Sequence, residues 1–316
     1  MVLKRVLLAV LLALSASSCS TERDENDFFA PGGVGIPVVD AMLVVGRPFS
    51  DVYLTRTLAP NQSFTLERAA IRGATVSIRD DFGNVIGYSE DGDIPGRYLS
   101  MVPTSTRVLP SRTYRLSVTL DDGSLLRATT TTPRQIDVAS WVLLDDTGTQ
   151  VLQELSTFAD HGDTVYAEPE NQIQYPEGLI EVRLNSAPAT GYQLGLASLD
   201  LGSQLLIDTD FLDDEDIESF TRTNSSPPFE ANETYFRVPW FAVYYEGRYK
   251  LRLFAMDRNW YDLARTDPVL GGGGIGFGGE AGDNTTRPIF HVEGGIGLFG
   301  SMSADSTGFY VVPPPN

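Results

Sequence analysis

The chain has 316 residues, 42% of them apolar and 10% aromatic, with 42 acids against 23 Lys and Arg and a formal charge of −19. That apolar content suffices for folded cores and excludes a disordered chain. The acidic surface repels nucleic-acid phosphates, so nucleic-acid binding is excluded, and the simplest effect of the charge is solubility. The length suits two domains, with one large all-β domain as the alternative.

The N-terminus reads "MVLKRVLLAVLLALSASSCS". Lys4 and Arg5 form a basic start, Val6 to Leu14 an unbroken apolar run, and Ala16, Ser17 and Ser18 a small-residue end. This is the layout of a signal peptide over residues 1–18, and the run is too short for a spanning helix. Cys19 follows at once and is the only cysteine in the chain. "ASSC" resembles a bacterial lipobox, in which the cysteine becomes the first residue and its thiol carries lipid; the alternative is an ordinary signal peptide with a chance cysteine. One cysteine also rules out an intrachain disulfide, so core burial must supply the stability. Residues 19–37 are polar, then acidic, then Gly- and Pro-rich, which predicts a flexible tether. Ser20 is unlike the Asp that retains lipoproteins in an inner membrane. Glu22, Asp24 and Glu25 are similar to a surface-export signal of Bacteroidetes lipoproteins.

From Val38 to Pro133 the pattern has period two. Ala74, Val76 and Ile78 alternate with polar residues, as do Tyr114, Leu116, Val118 and Leu120, and "DDFGN", "EDGDIPG" and "DDG" punctuate the strands. Short strands with such turns predict an antiparallel β-sandwich of immunoglobulin or fibronectin-III type over residues 38–133. "VLPSRTYRLSV" places Tyr114 at a strand start after Leu-Pro, similar to the tyrosine corner of those sandwiches. Residues 134–316 predict a second β-rich domain with one or two short helices, so the fold class is all-β. Strands are expected at "GLIEVRLN", "TGYQLGLASL", "SQLLIDT", "GRYKLRLFAMD" and a final "TGFYVV". Helical turns are expected at "FLDDEDIESFTR" and "DRNWYDLART".

"GGGGIG", Gly271 to Gly276, fits G-x-G-x-x-G, but "EAGDNTTRP" after it cannot open the helix a dinucleotide site needs. Residues 271–282 are expected to form an exposed loop, whereas "GGIGLFG" should let backbones pass closely and bury Ile296 and Phe299. The motifs "RGATVSI", "PGRYLS", "TYRLSV", "GRYKLRLFAMDRNWYDLART" and "VEGGIGLFGSMSA", in that order behind the lipobox, resemble the lipoprotein family catalogued as domain of unknown function 4249. The resemblance runs from about Ala41 to Ser303. It implies an outer-membrane lipoprotein of Bacteroidetes and relatives, often encoded beside TonB-dependent receptors, and supplies no catalytic residues.

Catalytic signals are sparse. His161 and His291 are the only histidines, and no G-x-S-x-G elbow or zinc spacing occurs. The aromatic run holds Tyr235, Phe236, Trp240, Phe241, Tyr244 and Tyr245, near Trp260 and Tyr261. Of these, Tyr235, Trp240, Tyr244 and Tyr245 are a candidate binding surface, with core packing as the alternative. The reading is a non-enzymatic outer-membrane or cell-surface lipoprotein. It acts as an accessory or ligand-binding component beside a TonB-dependent transporter, without cofactor or nucleotide; the alternative is a structural or adhesive lipoprotein. Calcium is the one candidate metal, on Asp208, Asp210, Asp213 and Asp214, since hard cations take carboxylate oxygens. An acidic helix start explains the same run. Binding there predicts a higher melting temperature in millimolar calcium, and an unchanged one removes the site.

Overall fold

The computed structural model describes residues 33–155, 171–174, 178–185, 189–206, 221–230, 234–238, 243–266 and 288–313. The fold is all-β. The first half holds β1 (Pro37–Val44), β2 (Val52–Arg56), the single turn α1 (Leu66–Ala69), β3 (Thr75–Asp80), β4 (Val85–Glu90), β5 (Arg97–Ser100), β6 (Thr113–Thr119) and β7 (Leu125–Thr131). The second half begins with β8 (Val138–Leu144), β9 (Val151–Leu155), β10 (Gln172–Gln174), β11 (Leu179–Leu184), β12 (Gly191–Ser198), β13 (Thr223–Ser225) and β14 (Tyr235–Val238). It ends with β15 (Gly247–Met256), the helix α2 (Arg258–Thr266), the two-residue β16 (Val292–Glu293) and the 17-residue β17 (Ile296–Val312).

Period-two patterning produces the first half as expected. Tyr114, Leu116 and Val118 of β6 point inward between exposed Arg115 and Ser117, and Val76 and Ile78 of β3 do the same. Its hairpin turns carry Gly83 and Gly123 at positive φ, where only glycine avoids strain. The carboxylate of Asp80 accepts the N–H groups of Phe82 and Asn84 to hold the first of these turns. The tyrosine corner is present: the hydroxyl of buried Tyr114 accepts the N–H of Leu109 at 3.0 Å. Two further buried tyrosines do similar work. Tyr98 donates to Ile71 O at 2.9 Å, and the Tyr249 hydroxyl accepts the N–H of Tyr245 at 2.7 Å.

The strands join in the order β13-β12-β15-β17-β1-β2-β5-β4-β3-β6-β7-β16, with β10 also on β17; β14-β11-β8-β9 form a separate sheet. In the second half this small sheet covers the β13-β12-β15-β17 end of the large one. Trp141, Ile180, Val182, Tyr192, Tyr249 and Phe309 make the core between them. In the first half the path folds back on itself, because β16 pairs with β7 and leads within two residues into β17. That core holds Leu43, Leu54, Ile78, Tyr98, Leu116 and Phe299.

β17 departs from expectation in three ways. It begins at Ile296 rather than near Thr307, it is parallel to β1, and it serves both halves. Residues 296–302 pair with 38–44, and residues 302–311 pair antiparallel with β15. A parallel neighbour needs a long crossover, and here the crossover is nearly the whole chain. Residues 38–133 therefore do not complete the first core without Phe299. "GGIGLFG" does let backbones pass closely. A Cβ on Gly295 would press on Pro37 O, and one on Gly297, at φ +105°, would overlap Val39 O. Phe299 is 1% exposed as expected, but Ile296 is only half-buried because it opens the strand at the rim. "SQLLIDT" forms no strand in its described part; Leu205 makes an isolated bridge to Tyr245. Residues 271–282 and the acidic helical turn lie outside the described residues.

Phe299→Ala is expected to cost about 3–5 kcal/mol of stability, read by urea unfolding. Ile296→Ala should cost clearly less, and equal losses would contradict this account of the first core.

Candidate functional site

"MDRNWYDLART" makes the seam between the halves. Asp257 precedes α2 and caps it: its Oδ1 accepts the Trp260 N–H at 3.0 Å, satisfying a donor that has no partner within the helix. Its Oδ2 accepts the Thr130 hydroxyl of β7 at 2.5 Å. Thr130 Oγ1 also lies 2.6 Å from Ser301 Oγ of β17. Thr130 has one hydroxyl proton and gives it to Asp257, so Ser301 must donate to Thr130. Asn259 adds a fork, its Nδ2 donating to Thr129 O at 2.7 Å and Phe299 O at 2.8 Å. Helix, β7 and β17 are thus tied by buried polar groups that all have partners. Burial pushes the Asp257 carboxyl up, and the Thr130 and backbone hydrogen bonds offset only part of that.

One turn further on, Asp262 behaves oppositely. Burial would raise it, but bonds from Arg258 (2.7 Å), Arg265 (2.8 Å) and His291 (2.9 Å) outweigh that and hold it at about 2. His291 leads into β16, so this carboxylate ties α2 to the chain that closes the first half. Beside the seam runs a polar cleft of about 710 Å³ walled by Thr129, Thr131, Thr190 and Arg258. Asp257 and Asn259 also line it, but their polar atoms are engaged in the seam.

The apolar opening lies elsewhere, between the two sheets of the second half. β13 is the edge of the large sheet and β14 the edge of the small one. They have only three and four residues, and between them a slot of about 450 Å³ reaches the core. Leu194 and Leu196 of β12, Leu251 of β15 and Val238 of β14 form its floor. Phe229 and Phe236 stand at its side with ring centroids 4.8 Å apart, and Phe236 lies 5.2 Å from buried Tyr192. Backbone pairing of Phe229 with Tyr192, at 2.8 and 2.9 Å, places the 226–230 segment along β12.

Polar groups at the mouth are few. Arg237 is held by Glu181 at 2.9 Å and by Gly148 O at 3.1 Å. Ser226 accepts the Leu194 N–H at 3.0 Å and donates to Pro227 O at 2.9 Å. Among the described residues the lining is Leu, Val, Phe and Tyr with Asn224, Ser226 and Arg237, a set of side chains that suits apolar contacts.

The structure divides the expected aromatic surface. Tyr235, 40% exposed, lines the slot with Phe236. Tyr244 and Tyr245 do not line it; they pack edge to face at 6.4 Å, and the Arg222 guanidinium covers the Tyr245 ring at 4.0 Å. Trp240, Cys19, His161 and the acids Asp208, Asp210, Asp213 and Asp214 lie outside the described residues. Among the described residues no group of three His, Cys, Asp or Glu is placed to hold a metal. Phe229 and the three leucines escape a reading by residue type, because core and pocket residues look alike in sequence.

The depressed Asp262 pKa fixes a pH dependence. Its ordinary value is 3.8, and the fold favours the ionised form. The stabilisation is therefore full above about pH 5 and lost as pH falls through about 4 towards 2. Asp262→Asn should flatten that part of the stability-against-pH curve relative to wild type, and an unchanged slope would refute the assignment.

Among the described residues no helix is long and apolar enough to cross a membrane. No curated protein matches the chain. A family model does, over residues 35–307, which takes in both halves, the slot and the seam. The chain therefore belongs to the family described as domain of unknown function (DUF4249).

Proposed function

We propose that the protein is a non-enzymatic, lipid-anchored component of the cell envelope that binds an apolar ligand beside a TonB-dependent transporter in the outer membrane. The observation that carries the binding part is the slot between β13 and β14. It has a size typical of small-molecule sites, an apolar and aromatic lining, and a few polar groups at its mouth. Among the described residues the lining offers no carboxylate, imidazole or amine to act as a general base, which favours binding over turnover. The anchor rests on the sequence: an apolar run, small residues, then the sole cysteine, Cys19. Several acyl chains on one cysteine hold far more firmly than one. The transporter partnership rests on the context that the family resemblance implies.

Three measurements test this reading. Cys19→Ala should move the protein from the membrane fraction to the soluble fraction, and continued membrane association would sink the anchor. Leu196→Trp should fill the slot and abolish fluorescence enhancement of an apolar dye, at about 1–3 kcal/mol of stability for overpacking. Undiminished dye binding would mean that the slot is not the site. Affinity purification from membranes should bring a large β-barrel with the protein, whereas recovery alone favours a structural or adhesive role.

A further inference from the structure

We infer that one end of the first half, the end bearing Phe64, Val34 and Leu125, rests on the lipid surface and holds the apolar slot away from it. The inference rests on the Cys19 anchor and adds an orientation to it.

The end is defined by contacts. Gly33, the first described residue, accepts the Thr57 hydroxyl through its carbonyl. Gly35 N–H donates to Thr57 O at 2.8 Å, and Ile36 N–H to Thr57 Oγ1 at 2.9 Å. The chain from the anchor thus reaches the fold beside the loop that follows β2. That loop, Thr57 to Thr65, carries no charge in a chain of net charge −19. At its far side Phe64 is 68% exposed. Val34, between Gly33 and Gly35, is 49% exposed, and Leu125, which opens β7 just after the β6–β7 turn, is 44% exposed. That turn belongs to the same end: Arg56 acts on Asp122 within it, and Gly294 abuts Leu125 O just before β17 starts beside β1.

The occupant follows from chain length. At about 3.5 Å per residue, the chain from Cys19 to Gly33 spans at most about 50 Å. The Gly33 end is therefore the part of the fold that a lipid on Cys19 keeps nearest the bilayer. An aromatic ring on an uncharged loop suits the headgroup boundary, where apolar area is buried without spanning. β17 starts at this end and, at ~3.3 Å per residue, is about 56 Å long, passing from β1 in the first half to β15 in the second. Leu251, in the slot floor, is opposite Thr307, on the second-half part of β17 beyond its pairing with β1. The slot therefore opens at the end remote from the lipid.

The sole native thiol makes the test clean, since lipid on Cys19 leaves an introduced cysteine as the only one to label. Ser63→Cys, beside Phe64, and Ser105→Cys, in the loop after β5 at the opposite end of the first half, are made in the lipidated full-length protein. Each carries an environment-sensitive dye and is reconstituted in phosphatidylcholine–phosphatidylethanolamine vesicles. The label at 63 should shift to the blue, lose quenching by aqueous iodide and gain quenching by lipid-borne nitroxide; the label at 105 should do none of these. Adding Phe64→Ser should reverse the protection at 63. Co-sedimentation with vesicles reports the anchor separately. Protein that sediments while labels 63 and 105 respond alike overturns the orientation and leaves the anchor standing. Protein that does not sediment removes the anchor, and the orientation with it.

Discussion

One strand holds the molecule together. β17 must satisfy the hydrogen bonds of β1 in one half and β15 in the other, and bury side chains in both cores. Its composition shows how. Phe299 fills the first core, and Phe309 and Val311 the second. Between them Ser301, Ser303, Ser306 and Thr307 are fully buried. Small hydroxyl residues suit that crossing, because a buried hydroxyl can bond to groups that either half brings to it. Ser301 joins Thr130, and Ser303 Oγ accepts the Ile136 N–H at 2.8 Å, fixing the chain that links β7 to β8. Two cores that share a strand are not expected to unfold independently. The first also needs Phe299 and the start of β17, so its closure depends on contacts of very large sequence separation.

The seam on α2 makes the crossing rigid. Asp257, just before α2, and Asp262, within it, sit five positions apart and take opposite electrostatic roles. Asp257 faces hydroxyl and N–H donors with no cation, so burial dominates and its charge is disfavoured. Asp262 faces two guanidiniums and an imidazole, and its charge is favoured. The first ties β7 to β17 through Thr130 and Ser301. The second gathers the last turn of α2 and the approach to β16. Breaking either would leave buried polar groups without partners, a larger cost than the net worth of the bonds themselves.

The first half is legible in sequence because local rules decide it: alternation on β3, β6 and β7, glycines where turns need positive φ, and Tyr114 after Leu-Pro. The helix at "DRNWYDLART" is legible too, since Asp257 is a good cap. β17 is not. "GSMSADST" lacks alternation, because its burial comes from the meeting of two halves and its polar atoms are satisfied by residues more than 160 positions away. β13, β14 and β16 are too short for periodicity to register. Residue type alone does not separate the slot from its surroundings. Aromatic density points to Tyr235, Phe236, Tyr244 and Tyr245 alike, of which Tyr235 and Phe236 line the slot, together with leucines indistinguishable from core.

The slot itself follows from strand length. A sandwich has open sides unless its edge strands are long or covered, and exposed edges invite unwanted pairing. Here the large sheet ends in three residues of β13 and the small one in four of β14. Edges this short give another chain little to pair with, and among the described residues they leave a gap between the sheets. Phe229 and Phe236 narrow the gap but do not fill it. Arg237, fixed by Glu181 and set over the Tyr235 ring at 5.6 Å, puts a charge at the rim. A rim charge beside an apolar floor discourages strand addition from neighbouring molecules while leaving room for a solute. The same shortness that protects the edges therefore produces the opening.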